Sequence, residues 1–523
     1  MKVAIAQINT VLGDFSLNSR KIVSHIKEAS TLDMDVVLFP ELTISGYAPN
    51  DLLERPEFSK NQLKYLKKIA LETSKATAAV VGFIHKENGH LFNAAAFLHN
   101  KKIKKIFKKE LLPSYDVFDE RRHFRSGSLK DNFIKYKGKQ ILVAICEDLW
   151  GFNEAEYSSD PLSKLTKKPE VILSLNASPF YKNKSRLRDA VAKKVVKKFS
   201  CPLYYANQIG AQDELIFDGQ SFALDCRGKR TFKLNAFEEA LGFKGQKIKN
   251  KKTNVLNALI LGVRDYFYKS GFEKAHLGLS GGIDSALVLY IACKALGAEN
   301  VLGVAMPGPH SSNLSLKLAQ EISKNLGSKF KIFDINSSYI NFVTDYEKTF
   351  GKERFDLMNE NAQARLRGIA LMAYSNRSKS LLLATSNKSE LTVGYSTLYG
   401  DQCGALLPIG DLLKTEVFEI CKQINLAEGS AIIPEKIITR PPSAELRAGQ
   451  KDSDSLPDYS KLDKAINRVI TQRKPAKSEL EQWVLNRSFM SEFKRWQSAP
   501  ILKISEHAFG RGRRMPLAHK FKY

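Results

Sequence analysis

The chain has 523 residues, of which 43% are hydrophobic and 26% are charged, and its formal net charge is +26. That length exceeds one ordinary domain, so we expect two large globular domains. There is no run of about 18 or more apolar residues, which argues against a membrane-spanning helix. The six cysteines are scattered without a CxxC pair, which argues against a zinc cage or a disulfide framework. Such cysteine usage fits a reducing cytoplasm.

The net positive charge has two interpretations. It indicates either nucleic-acid binding or a lysine-rich, solvated surface. The basic segments 101–109 and 244–252 contain few aromatic residues on which bases would stack. This favours the solvated surface, so we expect no nucleic-acid partner. A positive field would still help to bind anionic small substrates.

The first half of the chain predicts short strands separated by amphipathic helices. Its opening segment, MKVAIAQINTVLGDF, is apolar for only a few residues and predicts a first strand rather than a signal peptide. Apolar residues recur at helical spacing in 18–33 and 60–76. Hairpin-like pairs mixed with crossover helices predict an α/β sandwich whose strands are not all parallel. The further predicted strands are 36–41, 78–84, 93–99, 140–148, 171–178, 202–210 and 221–225.

Three potentially reactive side chains follow predicted strands. Glu41 ends the run LFPE, Lys109 follows KIFK, and Cys146 lies at the exit of ILVAIC. A thiolate in such a half-shielded position is a good nucleophile when a carboxylate takes its proton and an ammonium stabilises the oxyanion. The alternative is a buried core thiol, a strand-end surface carboxylate and one lysine among many. The pattern alone leaves both open.

Residues 1–240 resemble the nitrilase superfamily, in which a Glu, a Lys and a Cys occur in this order. Their settings here are FPE, KELLP and CED, and the motifs LPSYDVFDERRHF and LNASPF are similar to the glutaminase domain of glutamine-dependent NAD synthetases. Ser114 stands where that family more often has Asn. The resemblance implies an α-β-β-α sandwich that hydrolyses the amide of glutamine. It implies Glu41 as general base, Lys109 as oxyanion stabiliser, Cys146 as nucleophile, and Tyr115, Ser178 and Lys184 as glutamine-binding residues.

The second half of the chain has a different pattern of predicted strands and helices. Residues 228–253 lose the strand pattern and end in a basic run, which predicts a linker or wrapping segment, with the linker proper at 241–255. In 256–523, strands alternate with longer helices, which predicts a doubly wound parallel α/β sheet. The polar, Pro- and Gly-containing stretch 439–460 predicts a long loop of the kind that often forms a lid. The predicted strands are 275–280, 301–307, 330–335 and 380–386, and the predicted helices are 253–271, 286–297, 316–327 and 360–378.

The turn GLSGGIDS, residues 278–285, carries the clearest chemistry of this half. A strand, two glycines and a helix start together aim backbone N–H groups and hydroxyls at an anion. The P-loop lysine is absent, so the turn suits a pyrophosphate that leaves, and Asp284 offers a hard oxygen ligand to a cation. An ordinary glycine turn with a capping Ser or Asp remains the alternative.

The turn resembles the loop of the ATP pyrophosphatase superfamily, and the downstream motifs are similar to NAD synthetases. These motifs are NENAQARLRG, ATSNKSELTVGYSTLYGD, LLPIGDLLKTEV and FGRGRRMPLAHKF, with Ser386 in place of a commoner glycine. The resemblance implies an adenine nucleotide alpha hydrolase-like fold with three ligand sets. ATP contacts are Gly278, Leu279, Ser280, Gly281, Gly282, Ile283, Asp284, Ser285, Arg365, Thr385, Lys414 and Ser443; deamido-NAD contacts are Asn361, Glu390, Asp401 and Lys520; and Mg²⁺ ligands are Asp284 and Glu390. From helical spacing alone, Arg365 and Arg367 are equally consistent with a solvent-exposed helix face.

Together the two resemblances imply a glutamine-dependent NAD synthetase that makes NAD from deamido-NAD, glutamine and ATP through an adenylate. They imply an enclosed path for ammonia, at least a dimer of identical chains, and a cytoplasmic enzyme without membrane or nucleic-acid partners. Two alternatives stay open. One is an amidase joined to a different carboxylate-activating domain, and the other is an RNA-modifying enzyme, which the charge and the pyrophosphatase-like turn would suit.

Overall fold

The computed structural model describes residues 1–151, 157, 160–249, 251 and 253–519. The chain forms two compact units, Met1–Asn254 and Val255–Tyr523. No helix in the described part of the chain combines the length and the apolar character needed to cross a membrane.

The first unit contains three α-helices and fourteen strands among its described residues. The helices are α1 (Phe15–Thr31), α2 (Pro56–Leu71) and α3 (Lys184–Phe199). The strands are β1 (Val3–Gln7), β2 (Val36–Leu38), β3 (Ala78–Glu87), β4 (His90–His99), β5 (Lys102–Lys108), β6 (Phe133–Tyr136), β7 (Lys139–Ile145), β8 (Val171–Asn176), β9 (Leu203–Asn207), β10 (Ile209–Gln212), β11 (Leu215–Asp218), β12 (Phe222–Leu224), β13 (Arg230–Lys233) and β14 (Ala240–Phe243).

Two six-stranded sheets form the centre of this unit, in the orders β14-β1-β2-β3-β4-β5 and β13-β12-β9-β8-β7-β6. Pairing is parallel from β1 to β3 and from β7 to β9, and antiparallel toward the edges. Val80 packs between the two sheets while its neighbour Val81 packs toward α1 and α2, as alternation along a strand requires. Helix α3 covers the second sheet through Ala192 and Val195. The layers are therefore α-β-β-α, which confirms the predicted mixed sandwich.

One prediction for the first unit is wrong. Residues 228–253, expected to be a linker or wrapping segment, contain strands β13 and β14. Each has four residues and pairs antiparallel at a sheet edge, β13 with β12 and β14 with β1. Strands of four residues are too short to leave a clear alternating pattern in the sequence, and β13 has a single buried residue.

The second unit contains a small parallel sheet and many helices. The strands are β15 (Ala275–Gly278), β16 (Val301–Ala305), β17 (Lys329–Ile332) and β18 (Leu381–Leu382). The helices are α4 (Val255–Ser270), α5 (Ile283–Leu296), α6 (Asn313–Leu326), α7 (Asn336–Phe350), α8 (Leu357–Ser378), α9 (Lys388–Val393), α10 (Lys414–Glu428), α11 (Glu435–Thr439), α12 (Tyr459–Ile466), α13 (Glu479–Met490) and α14 (Glu492–Arg495).

The sheet order is β17-β16-β15-β18, and every pair is parallel. The chain first adds strands on one side of β15 and then returns to the other side with β18. The order therefore reverses between β15 and β18, and ligands of such sheets bind at the carboxyl ends of the strands beside this reversal. The predicted doubly wound sheet is confirmed. The predicted strand 380–386 is longer than the observed strand β18, Leu381–Leu382. Beyond β18 the chain leaves this sheet, and Leu383 forms only an isolated bridge with Leu406.

Candidate active sites

The structure brings Glu41, Lys109 and Cys146 together at the ends of three strands of the first unit. They follow β2, β5 and β7, and all three are buried. The ammonium of Lys109 lies 2.7 Å from Glu41 Oε1. The backbone N–H of Ala177 donates to the other Glu41 oxygen at 3.0 Å. The glutamate is therefore held from two directions, with its carboxylate beside the thiol.

Cys146 occupies a strained position. Its φ angle is +44°, a left-handed conformation that is uncommon for residues other than glycine. The turn that begins at Cys146 is fixed by Asp148, which accepts hydrogen bonds from Ile145 N at 2.9 Å, Glu110 N at 2.9 Å and Leu111 N at 3.0 Å. Asp148 thereby ties the thiol-bearing turn to the segment that follows Lys109. The motif CED thus contains the buried thiol and the carboxylate that fixes its turn.

Glu120 is a buried carboxylate beside Lys109, and sequence reasoning gave it no role although it lies in the motif VFDERRHF. Both of its carboxylate oxygens lie 2.9 Å from Lys109 Nζ. Tyr47 OH donates to it at 3.0 Å, and Asn93 Nδ2 lies 3.3 Å from Glu120 and 2.7 Å from Glu41. Lys109 is therefore shared by two buried carboxylates.

The pKa values of this cluster follow from burial and charge. Burial raises the pKa of Glu120 to about 7, and the negative charge of Glu41 adds to the effect although Lys109 opposes it. Burial by itself lowers the pKa of the Lys109 ammonium, but Glu120 and Glu41 outweigh it and hold that pKa well above its usual value. Burial and the Glu41 carboxylate raise the pKa of the Cys146 thiol. The resting site therefore favours a neutral thiol, a charged lysine and a base beside them.

The residues predicted to bind glutamine divide into two groups. Tyr115 OH donates to Glu147 Oε1 at 2.8 Å, and Tyr157 OH donates to the same oxygen at 2.9 Å. The Lys184 ammonium lies 4.4 Å from the centre of the Trp150 ring.

Ser178 is held separately. Its Oγ accepts from Arg188 Nε at 3.1 Å, and Arg188 is in turn paired with Asp218 at 2.6 Å. Glu147, which directly follows the nucleophile, is a second buried carboxylate that sequence reasoning passed over. Burial raises the pKa of its carboxyl group.

The second unit has a cavity of about 760 Å³ beside the reversal in its sheet. The turn 278–285 lines it at the end of β15, and Val304, Leu382 and Leu383 line it from β16 and from β18 and its exit. Gly281 has a φ angle of +74°, and a Cβ there would lie 2.2 Å from the carbonyl oxygen of Ser315. Helix α5 begins at Ile283, so its free N–H groups face the cavity, as anion binding requires.

Asp284, Glu390 and Lys414 meet in this cavity. Lys414 Nζ lies 2.5 Å from Asp284 and 3.1 Å from Glu390, while Asn387 Nδ2 donates to the other Asp284 oxygen at 2.9 Å. Burial raises the pKa of Glu390 to about 8, and the negative charge of Asp284 raises it further against the opposing effect of Lys414. Two carboxylates that face one ammonium also suit a divalent cation, because hard oxygen donors are the ligands that Mg²⁺ prefers.

Most of the other predicted nucleotide contacts line the same cavity. Arg365 does not belong to the described lining: it is exposed, and its Nε donates to Leu398 O at 3.3 Å. Arg367, two residues later on α8, lines the cavity instead, and its Nε donates to Met306 O at 2.9 Å. Gly281 packs against Ser315 behind the turn, and Lys520 lies outside the described residues. The predicted residues in the lining are Gly278, Leu279, Ser280, Gly282, Ile283, Asp284, Ser285, Asn361, Thr385, Glu390, Asp401, Lys414 and Ser443.

The predicted lid, residues 439–460, forms part of the cavity wall. Glu445 accepts hydrogen bonds from Ser312 Oγ at 2.9 Å and Ser315 Oγ at 2.7 Å, at the start of α6. Arg447 is paired with Glu360 of α8 at 3.0 Å. The loop is therefore attached to two helices that flank the cavity.

Comparison with known proteins covers both units. The carbon-nitrogen hydrolase family matches residues 2–243, and the NAD synthase family matches residues 255–499. A glutamine-dependent NAD(+) synthetase of Synechocystis sp. is 40% identical over 99% of this chain and 99% of its own length. One of Acinetobacter baylyi is 38% identical over 100% and 99%. The solved structure of glutamine-dependent NAD+ synthetase from Acinetobacter baumannii in complex with adenosine diphosphate has a TM-score of 0.78 at 35% identity and covers 99% of this chain and 98% of that one.

Proposed function

The chain belongs to the glutamine-dependent NAD(+) synthetases, and from this membership we propose which of its residues carry out each half of the reaction. It amidates deamido-NAD to NAD with ATP, using glutamine as the nitrogen donor. The observation that carries the assignment is the presence, in one chain, of a buried Cys-Glu-Lys cluster and a nucleotide-sized cavity with a phosphate-binding turn. We assign glutamine hydrolysis to residues 1–240 and NAD formation to 256–523.

In the first half-reaction, Cys146 attacks the side-chain carbonyl carbon of glutamine. Glu41 takes the thiol proton and passes it to the leaving nitrogen, so ammonia departs and a glutamyl thioester remains. Lys109 stabilises the oxyanion, a role supported by its fixed position between two carboxylates. Water that gives a proton to Glu41 then attacks the thioester. Glutamate is released and the thiol is restored.

Glu120 and Glu147 have distinct roles in this proposal. When Glu41 is protonated, the Glu120 carboxylate remains as the counter-ion of Lys109 and keeps the ammonium in place. Glu147 faces Tyr115 and lies in the field of Lys184. A carboxylate and an ammonium so close together suit the two charged groups of an amino acid, so Glu147 receives the α-ammonium of glutamine and Lys184 its carboxylate. Ser178 contacts the substrate from the segment that Arg188 holds.

In the second half-reaction, the nicotinate carboxylate of deamido-NAD attacks the α-phosphate of ATP. This forms an acyl adenylate and releases pyrophosphate. Ammonia then attacks the acyl carbon, AMP leaves, and the amide of NAD is formed. The turn 280–285 and Lys414 hold the phosphates. Asp284 and Glu390 would hold Mg²⁺, which would neutralise the charge of the departing pyrophosphate.

We assign the ammonia used in this step to Cys146, delivered without release to solvent. At neutral pH free ammonia is mostly ammonium, which has no lone pair with which to attack. A confined supply therefore raises the concentration of the reactive form. The test compares glutamine with ammonium as nitrogen donor. Cys146→Ala is expected to abolish glutamine-supported NAD formation and to keep ammonium-supported formation, whereas loss of both in a folded protein would contradict the two-site scheme.

We also propose that the second unit pairs with another copy of the chain. Large apolar side chains stay exposed along α7, α8 and the edge strand β17, among them Ile340 at 59%, Phe350 at 71% and Ile369 at 65%. Such a concentration is more typical of a protein interface than of a solvated surface. Light scattering at micromolar concentration tests this, and a monomeric mass would contradict it. The six free cysteines agree with a cytoplasmic enzyme.

A further inference from the structure

The start of helix α10 carries Lys414, and its backbone is held by a side chain of another helix. The first N–H groups of a helix have no partner within it, and Leu413, which precedes α10, has no polar side chain to accept from them. Instead, Ser389 Oγ of α9 accepts from Lys414 N at 2.9 Å. Ser389 is fully buried and directly precedes Glu390 in the chain. One hydroxyl thus joins the two backbone segments that carry Glu390 and Lys414.

Asp463 of α12 fixes the direction of this contact. A backbone N–H only donates, so the Ser389 hydroxyl accepts from Lys414 and keeps its own proton to donate. It donates that proton to Asp463 Oδ1, and Thr415 N donates to the other carboxylate oxygen at 2.8 Å. Asp463 is itself buried. Its carboxylate therefore holds α9 through Ser389 and the first turn of α10 through Thr415, where a negative charge is also favoured by the helix dipole.

Helix α9 is anchored independently through the residue before Ser389. Lys388 Nζ donates to Asp411 Oδ1 at 2.8 Å and to Ser505 Oγ at 2.9 Å. Asp411 also accepts from the backbone N–H groups of Ile504 and Ser505. Because this buried pair holds α9 without the help of α12, loss of the Ser389 contact releases the start of α10 rather than α9.

We propose that Ser389 and Asp463 are positioning residues for Lys414 in NAD formation, and this rests on the function proposed above. Neither residue belongs to the cavity lining among the described residues, so both act through the group they hold. That group is the Lys414 ammonium, which lies 2.5 Å from Asp284 and 3.1 Å from Glu390. A displacement of about 1 Å in such a group can slow a reaction about a hundredfold. The hydroxyl and the carboxylate keep the start of α10 at the distance that these contacts require.

The competing explanation is that this network only stabilises the fold. A double-mutant cycle in ammonium-supported NAD formation by the full chain distinguishes the two. Asp463→Asn and Ser389→Ala are each expected to lower kcat about tenfold or more, with KM for deamido-NAD changed less than about twofold, because neither residue lines the cavity. In the Lys414→Met background the positioned group is absent, so each substitution is expected to lower the remaining kcat less than about twofold.

The matched control is Ser323→Ala, which removes another buried hydroxyl of this unit. Ser323 Oγ lies 2.7 Å from Ser328 Oγ and is not part of the described cavity lining, so the wild-type kcat is expected to be kept. Thermal unfolding shows whether each variant stays folded, and if Asp463→Asn unfolds, Ser389→Ala, which loses only a hydroxyl, carries the same test.

Two results would overturn the assignment. One is a wild-type kcat in the folded single variants, and the other is an undiminished effect of the substitutions in the Lys414→Met background. A wild-type chain that forms no NAD with ammonium would instead contradict the proposed function itself.

Discussion

Replacement of Glu120 by Gln tests whether a second carboxylate is needed beside Lys109. The variant keeps the size of the side chain but removes the charge that accepts two contacts of 2.9 Å from Lys109. Hydrogen bonds to charged groups contribute about 1.5–3 kcal/mol, so glutamine hydrolysis is expected to slow about ten- to a hundredfold. Ammonium release from glutamine at saturating substrate measures this directly.

The pH profile separates this role from simple loss of packing. Burial raises the pKa of Glu120 to about 7, so the carboxyl is protonated below that pH and ionised above it. The ionised Glu120 carboxylate holds Lys109 in place, so hydrolysis by the wild-type chain is expected to fall as pH drops through about 7. Glu120→Gln is expected to be slow at all pH values and to lack this limb.

The matched control is Glu57→Gln, which removes an exposed carboxylate on α2. Thermal unfolding of both variants shows whether the first unit stays folded. If Glu120→Gln hydrolyses glutamine at the wild-type rate, or retains the same acidic limb, Glu120 does not act through Lys109 and our interpretation of this cluster is refuted.

Three further predictions concern the NAD-forming unit. Gly281→Ala places a methyl group 2.2 Å from the carbonyl oxygen of Ser315, at a left-handed φ. KM for ATP is therefore expected to rise about tenfold or more. An unchanged KM would show that the turn does not shape the ATP site. Lys414→Met leaves Asp284 and Glu390 uncompensated, so ammonium-supported NAD formation should fall about a hundredfold, and retention of the rate would remove Lys414 from the site. Chelation by EDTA should stop NAD formation and added Mg²⁺ should restore it, whereas activity in full chelation would contradict the assigned ligands.

Sequence reasoning predicted the fold best where one physical pattern dominates. The buried parallel strands β7, β8, β15 and β16 are mainly apolar and were found close to their observed bounds. Strands β13 and β14 were missed because each has only four residues and pairs only at a sheet edge. The partner of β14 is β1, at the start of the unit, so no local pattern marks that strand.

The candidate sites show a similar division. Cys146, Glu41 and Asp284 stand at strand ends or turns, where a polar residue interrupts an apolar run. Glu120 lies in polar surroundings, where no local pattern separates a buried charge from a solvated one. Arg365 and Arg367 are two residues apart on α8, and only the structure shows which of them lines the cavity. These distinctions depend on tertiary contacts that one-dimensional spacing does not contain.

Both candidate active sites contain a buried lysine between two carboxylates. Lys109 lies between Glu41 and Glu120, and Lys414 between Asp284 and Glu390. A second carboxylate makes each site negative when both are ionised, which is costly in a buried position unless a cation is present. In the glutaminase cluster burial and the neighbouring carboxylate raise the pKa of Glu120 to about 7, so this cluster favours a proton. In the synthetase cluster the same excess favours a divalent cation. One arrangement thus favours a proton at one site and a metal at the other, because the first is closed around a thiol and the second opens into a nucleotide cavity.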